Sequence, residues 1–113
     1  MKIAVATKNG IEVDTHFGTA EYFEVYQVTK HTAMKETRVV EPYADQRAQA
    51  TKNHTFNEIR FERLKARISD CQKIVITKIG AAPAQKFMEA GIAPVQYEGN
   101  VLDYVRKIQK EEL

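Results

Sequence analysis

The run Lys73-Ile-Val-Ile-Thr77, followed at once by Lys78-Ile-Gly80, decides the fold class. It is the most apolar short run in the chain, and a continuous β-branched run of this length is typical of a strand buried on both faces of a parallel sheet. Pro83 follows closely, and proline is favoured in the first turn of a helix, where its missing N–H is not needed. The stretch therefore predicts a central strand, a short loop and a helix.

A second helix is predicted before this strand. Phe61, Leu64 and Ile68 recur at spacings of three and four residues and place one apolar stripe toward a core. Thr55 with Glu58 three residues later forms a capping-box pattern, so the helix is expected to begin near Thr55.

The helices after the central strand are predicted from their own signals. The first is expected to end at Gly91 and to bury a stripe with i, i+3, i+4, i+7 spacing: Ala84, Phe87, Met88 and Gly91. The second is expected to be capped by Asn100, with Asp103 in its first turn. Its inward residues are expected to be Val101, Val105 and Ile108.

Three strands are predicted in the first half of the chain, over Lys2–Thr7, Tyr22–Val28 and Met34–Glu41. A short turn, Thr29–Ala33, joins the last two strands, and this favours an antiparallel meander. Residues 92–97 read as an edge strand, because Pro94 cannot donate to a neighbouring strand. The whole is predicted to be an α/β fold with a mixed five-stranded sheet in the order 3-2-1-4-5 and about three helices.

Composition narrows the class of protein. The 113 residues predict one domain, residues 1–113. A net charge of +2 argues against nucleic-acid binding. The single cysteine, Cys71, cannot form an intramolecular disulfide and fits a reducing compartment. No apolar run reaches the ~20 residues of a membrane span and no signal peptide is recognised, so we expect a cytoplasmic protein that binds no membrane.

Two loops are expected to meet at one edge of the sheet. The loop Val13–Ala20 contains His16, and Thr19 is predicted to cap a single helical turn there. The loop from Lys78 to Ala82 opens a helix, whose N-terminus favours anions. Ligands of open α/β sheets bind at the carboxyl ends of the strands. The imidazole of His16 would add a ligand for borderline metals.

Plainer interpretations exist for each of these residues. A histidine in a loop is most often only a loop histidine, and His31 lies in a turn where it is expected to be solvated. A lone cysteine such as Cys71 is most often a small buried apolar group. His54 lies in a polar loop, where it would cap a helix or lend a second ligand. A closed structural zinc site is improbable, because it needs four ligands.

Two blocks of the sequence carry a resemblance. The first is Lys2–Thr7, then Val13-Asp-Thr-His-Phe-Gly-Thr-Ala20 running into Tyr22-Phe-Glu-Val-Tyr26. The second is Asp70-Cys71, Ile74–Gly80 and Phe87–Pro94. In this order and at this distance they resemble the dinitrogenase iron–molybdenum cofactor-binding family, of which NifX, the NafY core domain and the NifB C-terminal domain are members.

This resemblance implies a ribonuclease-H-like three-layer fold and no catalysis. It implies a carrier that holds an iron–molybdenum cofactor, or an iron–sulfur precursor of it, during nitrogenase cofactor biosynthesis in nitrogen fixation. Its partners would be cofactor-assembly proteins or apo-nitrogenase, and the carrier would be a monomer or a weak homodimer. The residues expected to contact the cluster are His16, Phe17, Gly18, Lys78, Gly80 and Ala81. His16 is the expected metal ligand, and His54 and Cys71 are secondary candidates.

Three alternatives stay open at this point. A relative of the same family would bind another metal–sulfur cluster, such as a molybdenum–copper sulfide, outside nitrogen fixation. A protein-interaction module would bind no ligand. A nuclease-like enzyme would need several carboxylates at strand ends to hold magnesium, and the first strand, Lys2–Thr7, carries none.

Overall fold

The predicted central strand forms over Lys73–Ile76 in the computed structural model, which describes residues 1–44 and 57–113. Three α-helices lie within these ranges: α1 (Glu58–Arg67), α2 (Ala81–Glu89) and α3 (Val101–Glu111). The strands are β1 (Lys2–Val5), β2 (Glu12–Val13), β3 (Tyr22–Val28), β4 (Ala33–Val39), β5 (Lys73–Ile76), β6 (Ala93–Gln96) and β7 (Gly99–Asn100). Among the described residues, no helix has the length and apolar character needed to cross a membrane.

The main sheet has five strands in the order β4-β3-β1-β5-β6. β1 pairs with β3 antiparallel and with β5 parallel, and β5 pairs with β6 parallel. The numbers of the expected order 3-2-1-4-5 differ from these, because the short strand β2 was not counted, but each strand has the neighbours that were expected. β2 and β7 form a separate two-stranded sheet, in which Val13 pairs with Gly99. Strands of two residues show no periodicity, so the sequence pattern could not reveal them.

Helices cover both faces of the main sheet. The residues of β1, together with Ala6 directly after it, alternate between two cores: Ala4 and Ala6 belong to one, and Ile3 and Val5 to the other. The first core is closed by α1 and α2 through Phe61, Leu64 and Phe87. The second is closed by α3 through Val101, Tyr104, Val105 and Ile108. A sheet with both faces buried explains the apolar β5 run.

The predicted ends of the helices are partly confirmed. The Asn100 side chain accepts from the Asp103 N–H at 3.0 Å, as expected for the cap of α3. α2 is followed by Gly91 with a φ of 81°, a conformation that glycine adopts without strain. The predicted start of α1 was wrong. Its capping residue is Asn57, whose side chain accepts from the Arg60 N–H at 3.0 Å. Thr55 lies outside the described residues.

The predicted apolar stripe of α2 was only partly right, since Phe87 is buried but Met88 and Gly91 are exposed. Met88 is 59% exposed, and the residues that α2 buries are Pro83 and Phe87. The helix begins at Ala81, two residues before Pro83, so the proline lies within the first turn, where it is buried. The pattern was misread because Pro83 was taken only as a helix starter and not as an apolar residue.

A charged cluster fastens the edge strand β4 to the chain before β5. Asp70 accepts from Lys2 Nζ at 2.9 Å and from Arg38 Nη2 at 2.9 Å, and Arg38 also donates to the Arg67 carbonyl at 3.0 Å. The bonds from Arg38, and then the bond from Lys2, hold the pKa of the Asp70 carboxyl well below its usual range. The cluster therefore stabilises the fold only while Asp70 is ionised.

We expect Asp70→Asn to lower the free energy of unfolding at pH 7 by on the order of 1 kcal/mol, because the cluster is partly exposed and screened by solvent. The folded-state pKa is depressed, so the contribution is fully present above the unfolded pKa of about 4, declines as the pH falls below it, and is lost as the pH falls through the lower folded-state pKa. Urea unfolding of both proteins at pH 7 and at pH 3 measures this, with Glu89→Gln as the control. An equal stability of Asp70→Asn and wild type at pH 7 contradicts it.

Candidate functional site

The two loops singled out in the sequence meet at the carboxyl ends of β1 and β5. The parallel pairing of these strands continues past β1, where the Ala6 N–H donates to the Val75 carbonyl at 2.9 Å. The Thr77 N–H then donates to the Thr15 carbonyl at 3.1 Å, and the Phe17 N–H to the Lys78 carbonyl at 2.9 Å. The predicted juxtaposition of the loops is confirmed, while the ligand roles of their residues stay predictions.

His16 lies at the surface of this junction. Its Nδ1 is 2.6 Å from the Thr77 hydroxyl oxygen, and its side chain is exposed. Among the described residues, its Nε2 has no hydrogen-bond partner. A threonine hydroxyl both donates and accepts, so this contact fits either tautomer of the neutral ring. Whenever Nδ1 carries the proton, Nε2 offers a lone pair to a ligand from solvent.

The local turn differs from the one predicted. The residues after His16 form a 3-10 helix over Phe17–Thr19, with His16 as the residue before its first turn. Thr19 was expected to begin a helical turn, but it ends one, and its N–H donates to the His16 carbonyl at 3.3 Å. The short helix therefore fixes the backbone on the carboxyl side of His16.

Phe17 anchors the loop in the core and is not a surface contact. Its side chain is 1% exposed, and its ring packs edge-on against Phe87 at 5.4 Å and tilted against Tyr43 at 5.1 Å between ring centroids. Its prediction as a residue in direct contact with a cluster does not fit this position, because the side chain is fully covered. Its role is to position its neighbour His16.

Gly18 is required by a close approach of two segments. A Cβ at this position would lie 3.1 Å from the Cβ of Ala44, and the Ala44 N–H donates to the Gly18 carbonyl at 2.9 Å. A side chain here would push these segments apart. Gly18 therefore shapes the loop, whether or not it contacts a ligand.

The start of α2 supplies positive potential beside His16. Its capping residue is Gly80, which has no side chain to accept from the first N–H groups of the helix. Gly80, Ala81 and Ala82 are all exposed. The first N–H groups of a helix have no acceptor within the helix, so they favour an anion. Lys78 is exposed as well, and no carboxylate in the described part of the chain pairs with its ammonium group.

Asp14 ties the histidine loop to the turn after β1. Its Oδ1 accepts from the Lys8 N–H at 2.9 Å and from the Thr15 hydroxyl at 2.7 Å, and the Tyr22 hydroxyl donates to the Lys8 carbonyl at 2.7 Å. The histidine loop is thus held before His16 by the polar contacts of Asp14 and after it by the buried Phe17 ring.

Sequence reasoning missed Thr15 and Thr77 as parts of this site. Thr15 is 5% exposed and binds Asp14, and Thr77 contacts the His16 ring. One signal was available for Thr77, since it is the first polar residue after the β5 run and so stands at the end of the strand. No signal in the sequence linked it to His16 specifically.

The secondary metal candidates do not lie at this site. Cys71 is 3% exposed and precedes β5, whereas His16 contacts the residue after β5, and the four strand residues alone span about 13 Å. Burial raises the pKa of its thiol to about 11, so the thiolate that binds metals is scarce at neutral pH. His54 lies outside the described residues. Across residues 1–44 and 57–113, no three His, Cys, Asp or Glu side chains cluster in a way that could hold a metal ion.

Comparison with known sequences gives consistent matches. The profile of the family described as "Dinitrogenase iron-molybdenum cofactor" matches residues 1–111. The FeMo cofactor biosynthesis protein NifB of Frankia alni is 33% identical over 95 residues, which cover 83% of this chain and 18% of that protein. NifB of Sinorhizobium fredii is 30% identical over 107 residues, which cover 93% and 20%. The chain thus spans about a fifth of the length of these relatives.

Solved structures share the fold. The crystal structure of PH0822 covers all of this chain and 93% of its own, with a TM-score of 0.70 and 19% identity. The apo form of the orange protein of Desulfovibrio gigas covers 96% of this chain and 87% of its own, with a TM-score of 0.59 and 22% identity. At these identities the likeness establishes the mixed α/β fold alone.

The positions of Phe17 and His16 predict effects of very different size on the free energy of unfolding. Phe17→Ala should lower the free energy of unfolding by about 3–5 kcal/mol, because it empties a fully buried aromatic site. His16→Ala should change it by less than about 1 kcal/mol, because the ring is exposed and makes one hydrogen bond. Urea unfolding at pH 7 measures both. Comparable losses in the two variants would show that His16 is a structural residue.

Proposed function

Because the chain belongs to the dinitrogenase iron–molybdenum cofactor family, we propose that it binds a metal–sulfur cluster and passes it on during nitrogenase cofactor biosynthesis. The proposed cargo is the iron–molybdenum cofactor or an iron–sulfur precursor of it. The proposal assigns no chemical reaction to the chain.

The observation that supports this most is the exposed His16 ring beside the open start of α2. Its Nε2 has no partner among the described residues, and imidazole nitrogen is a good ligand for iron. Metal–sulfur clusters of this kind are anionic. The uncapped N–H groups at Gly80 and Ala81 and the ammonium of Lys78 supply matching positive potential.

Holding and releasing a cluster requires few bonds. At this site the chain offers one exposed imidazole, and the described residues contain no group of three metal-ligating side chains, so the cluster would keep most of its own sulfide ligands. Backbone N–H groups and a lysine bind sulfide through charge and hydrogen bonds without displacing it. With so few contacts, transfer of the cluster to an acceptor protein that offers more ligands would be favourable.

The partners follow from this role. A carrier needs a donor that assembles the cluster and an acceptor that uses it, so we propose cofactor-assembly proteins and apo-nitrogenase, in the cytoplasm. Metal analysis of the chain purified from its native host separates an iron–molybdenum cargo from the alternative molybdenum–copper sulfide. Iron, with molybdenum or without it, supports the proposal, and copper with molybdenum contradicts it.

His16→Ala should weaken binding of isolated iron–molybdenum cofactor at least about tenfold, which corresponds to ~1.4 kcal/mol for the lost ligand. An anaerobic titration, followed by the absorbance of the complex and by metal analysis after gel filtration, measures this. His31→Ala is the matched control, because His31 is exposed in the turn after β3, at the opposite end of the sheet. Unchanged binding by His16→Ala would overturn the role of His16.

Lys78→Gln should weaken binding of the same cofactor by a few-fold and reduce its dependence on salt, because it removes one exposed charge from the mouth of the site. Lys30→Gln removes the same charge from the distant turn after β3 and should leave binding unchanged. Titrations at 50 mM and 500 mM salt compare the two variants. Over this range the Debye length falls from roughly 14 to 4 Å, so the contribution of an exposed charge is largely screened at the higher concentration. Equal effects would show that only net charge matters.

A further inference from the structure

The Thr77 hydroxyl is the only described group that contacts the His16 ring through a hydrogen bond, at 2.6 Å from Nδ1. We propose that Thr77 is a positioning residue that holds the His16 imidazole for cargo and, because it both donates and accepts, keeps the binding reversible. This inference rests on the proposed function, since it concerns the same site.

The backbone fixes where the Thr77 hydroxyl stands. The Thr77 N–H donates to the Thr15 carbonyl, and the carbonyl of the next residue, Lys78, accepts from the Phe17 N–H. The two bonds thus hold the residues on either side of His16, and they hold Thr77 and the residue after it. With both backbones held, the bond between the two side chains determines the direction of the imidazole ring.

The hydroxyl matches two states of the neutral ring. In the state that binds metal, Nδ1–H donates to the Thr77 oxygen and Nε2 offers its lone pair. In the other state, the Thr77 hydroxyl donates to Nδ1 and Nε2 carries the proton. Passing from the second state to the first, Nε2 gives its proton to water, Nδ1 takes one from water, and the hydroxyl rotates. No proton is gained or lost overall.

A carboxylate in the place of Thr77 would act differently. Metal-binding histidines commonly donate their second N–H to a carboxylate, which fixes the tautomer and strengthens the ligand. The carboxylate of this loop, Asp14, is occupied by the Lys8 N–H and the Thr15 hydroxyl and makes no bond to the His16 ring. Thr77 therefore orients the ring without fixing its tautomer, which suits a site that must release its cargo.

The first test uses the protein without cargo. Long-range ¹H–¹⁵N spectra report the tautomer of the His16 ring, and side-chain couplings and NOEs report its rotamer. Thr77→Val should change the tautomer ratio and average the rotamers, whereas Thr77→Ser should keep the wild-type values. Thr19→Val is the matched control, because the Thr19 hydroxyl reaches the His16 carbonyl and not its ring. Wild-type spectra for Thr77→Val overturn the proposal.

The second test measures binding of isolated iron–molybdenum cofactor under anaerobic conditions. Loss of a second partner of a ligating histidine typically weakens binding about 10–100-fold, so Thr77→Val should lie in that range and Thr77→Ser near the wild type. Wild-type affinity for Thr77→Val overturns the proposal. If neither the wild type nor any variant binds the cofactor, the proposed function fails, while the spectra still decide whether Thr77 positions the ring.

Discussion

The parallel pairing of β1 with β5 is the contact on which the rest of the structure depends. Ala4 lies beside Ile74, and the ladder continues beyond β1 through the Ala6 N–H. Parallel strands require a crossover, and here the crossover includes α1. The same pairing brings the carboxyl ends of two strands to one edge, so the loops that follow them meet without any further device. A site built in this way inherits its position from the most buried part of the sheet.

What the sequence could predict follows the strength of local signals. The β5 run, the stripe through Phe61 and Leu64, and the Asn100 cap are all short-range patterns, and each appears in the structure. The start of α1 and the buried side of α2 failed, because competing caps and an apolar proline give weaker signals. The pairing of Val13 with Gly99 joins residues far apart in the chain, so no local pattern could have shown it.

The features of the candidate site also fall into those that the sequence predicts and those that it does not. The meeting of the His16 and Lys78 loops could be predicted from topology alone. The burial of Phe17 could not, because an aromatic residue in a polar loop looks equally suited to a ligand and to a core. The bond between His16 and Thr77 depends on the exact rotation of two side chains, which only the folded backbone sets. Chemistry at a site is thus decided at a finer scale than sequence patterns describe.

The burial of the only thiol has a consequence for metal selectivity. Cys71 is the single cysteine of the chain, and it is covered by the core of the sheet. The protein accordingly presents no thiolate of its own to copper(I), zinc or mercury ions, which seek thiolates. At the His16 site, the described residues offer soft metal ions an imidazole and a hydroxyl oxygen. The proposed cargo would arrive with its sulfide already in place and would not need a thiolate from the protein.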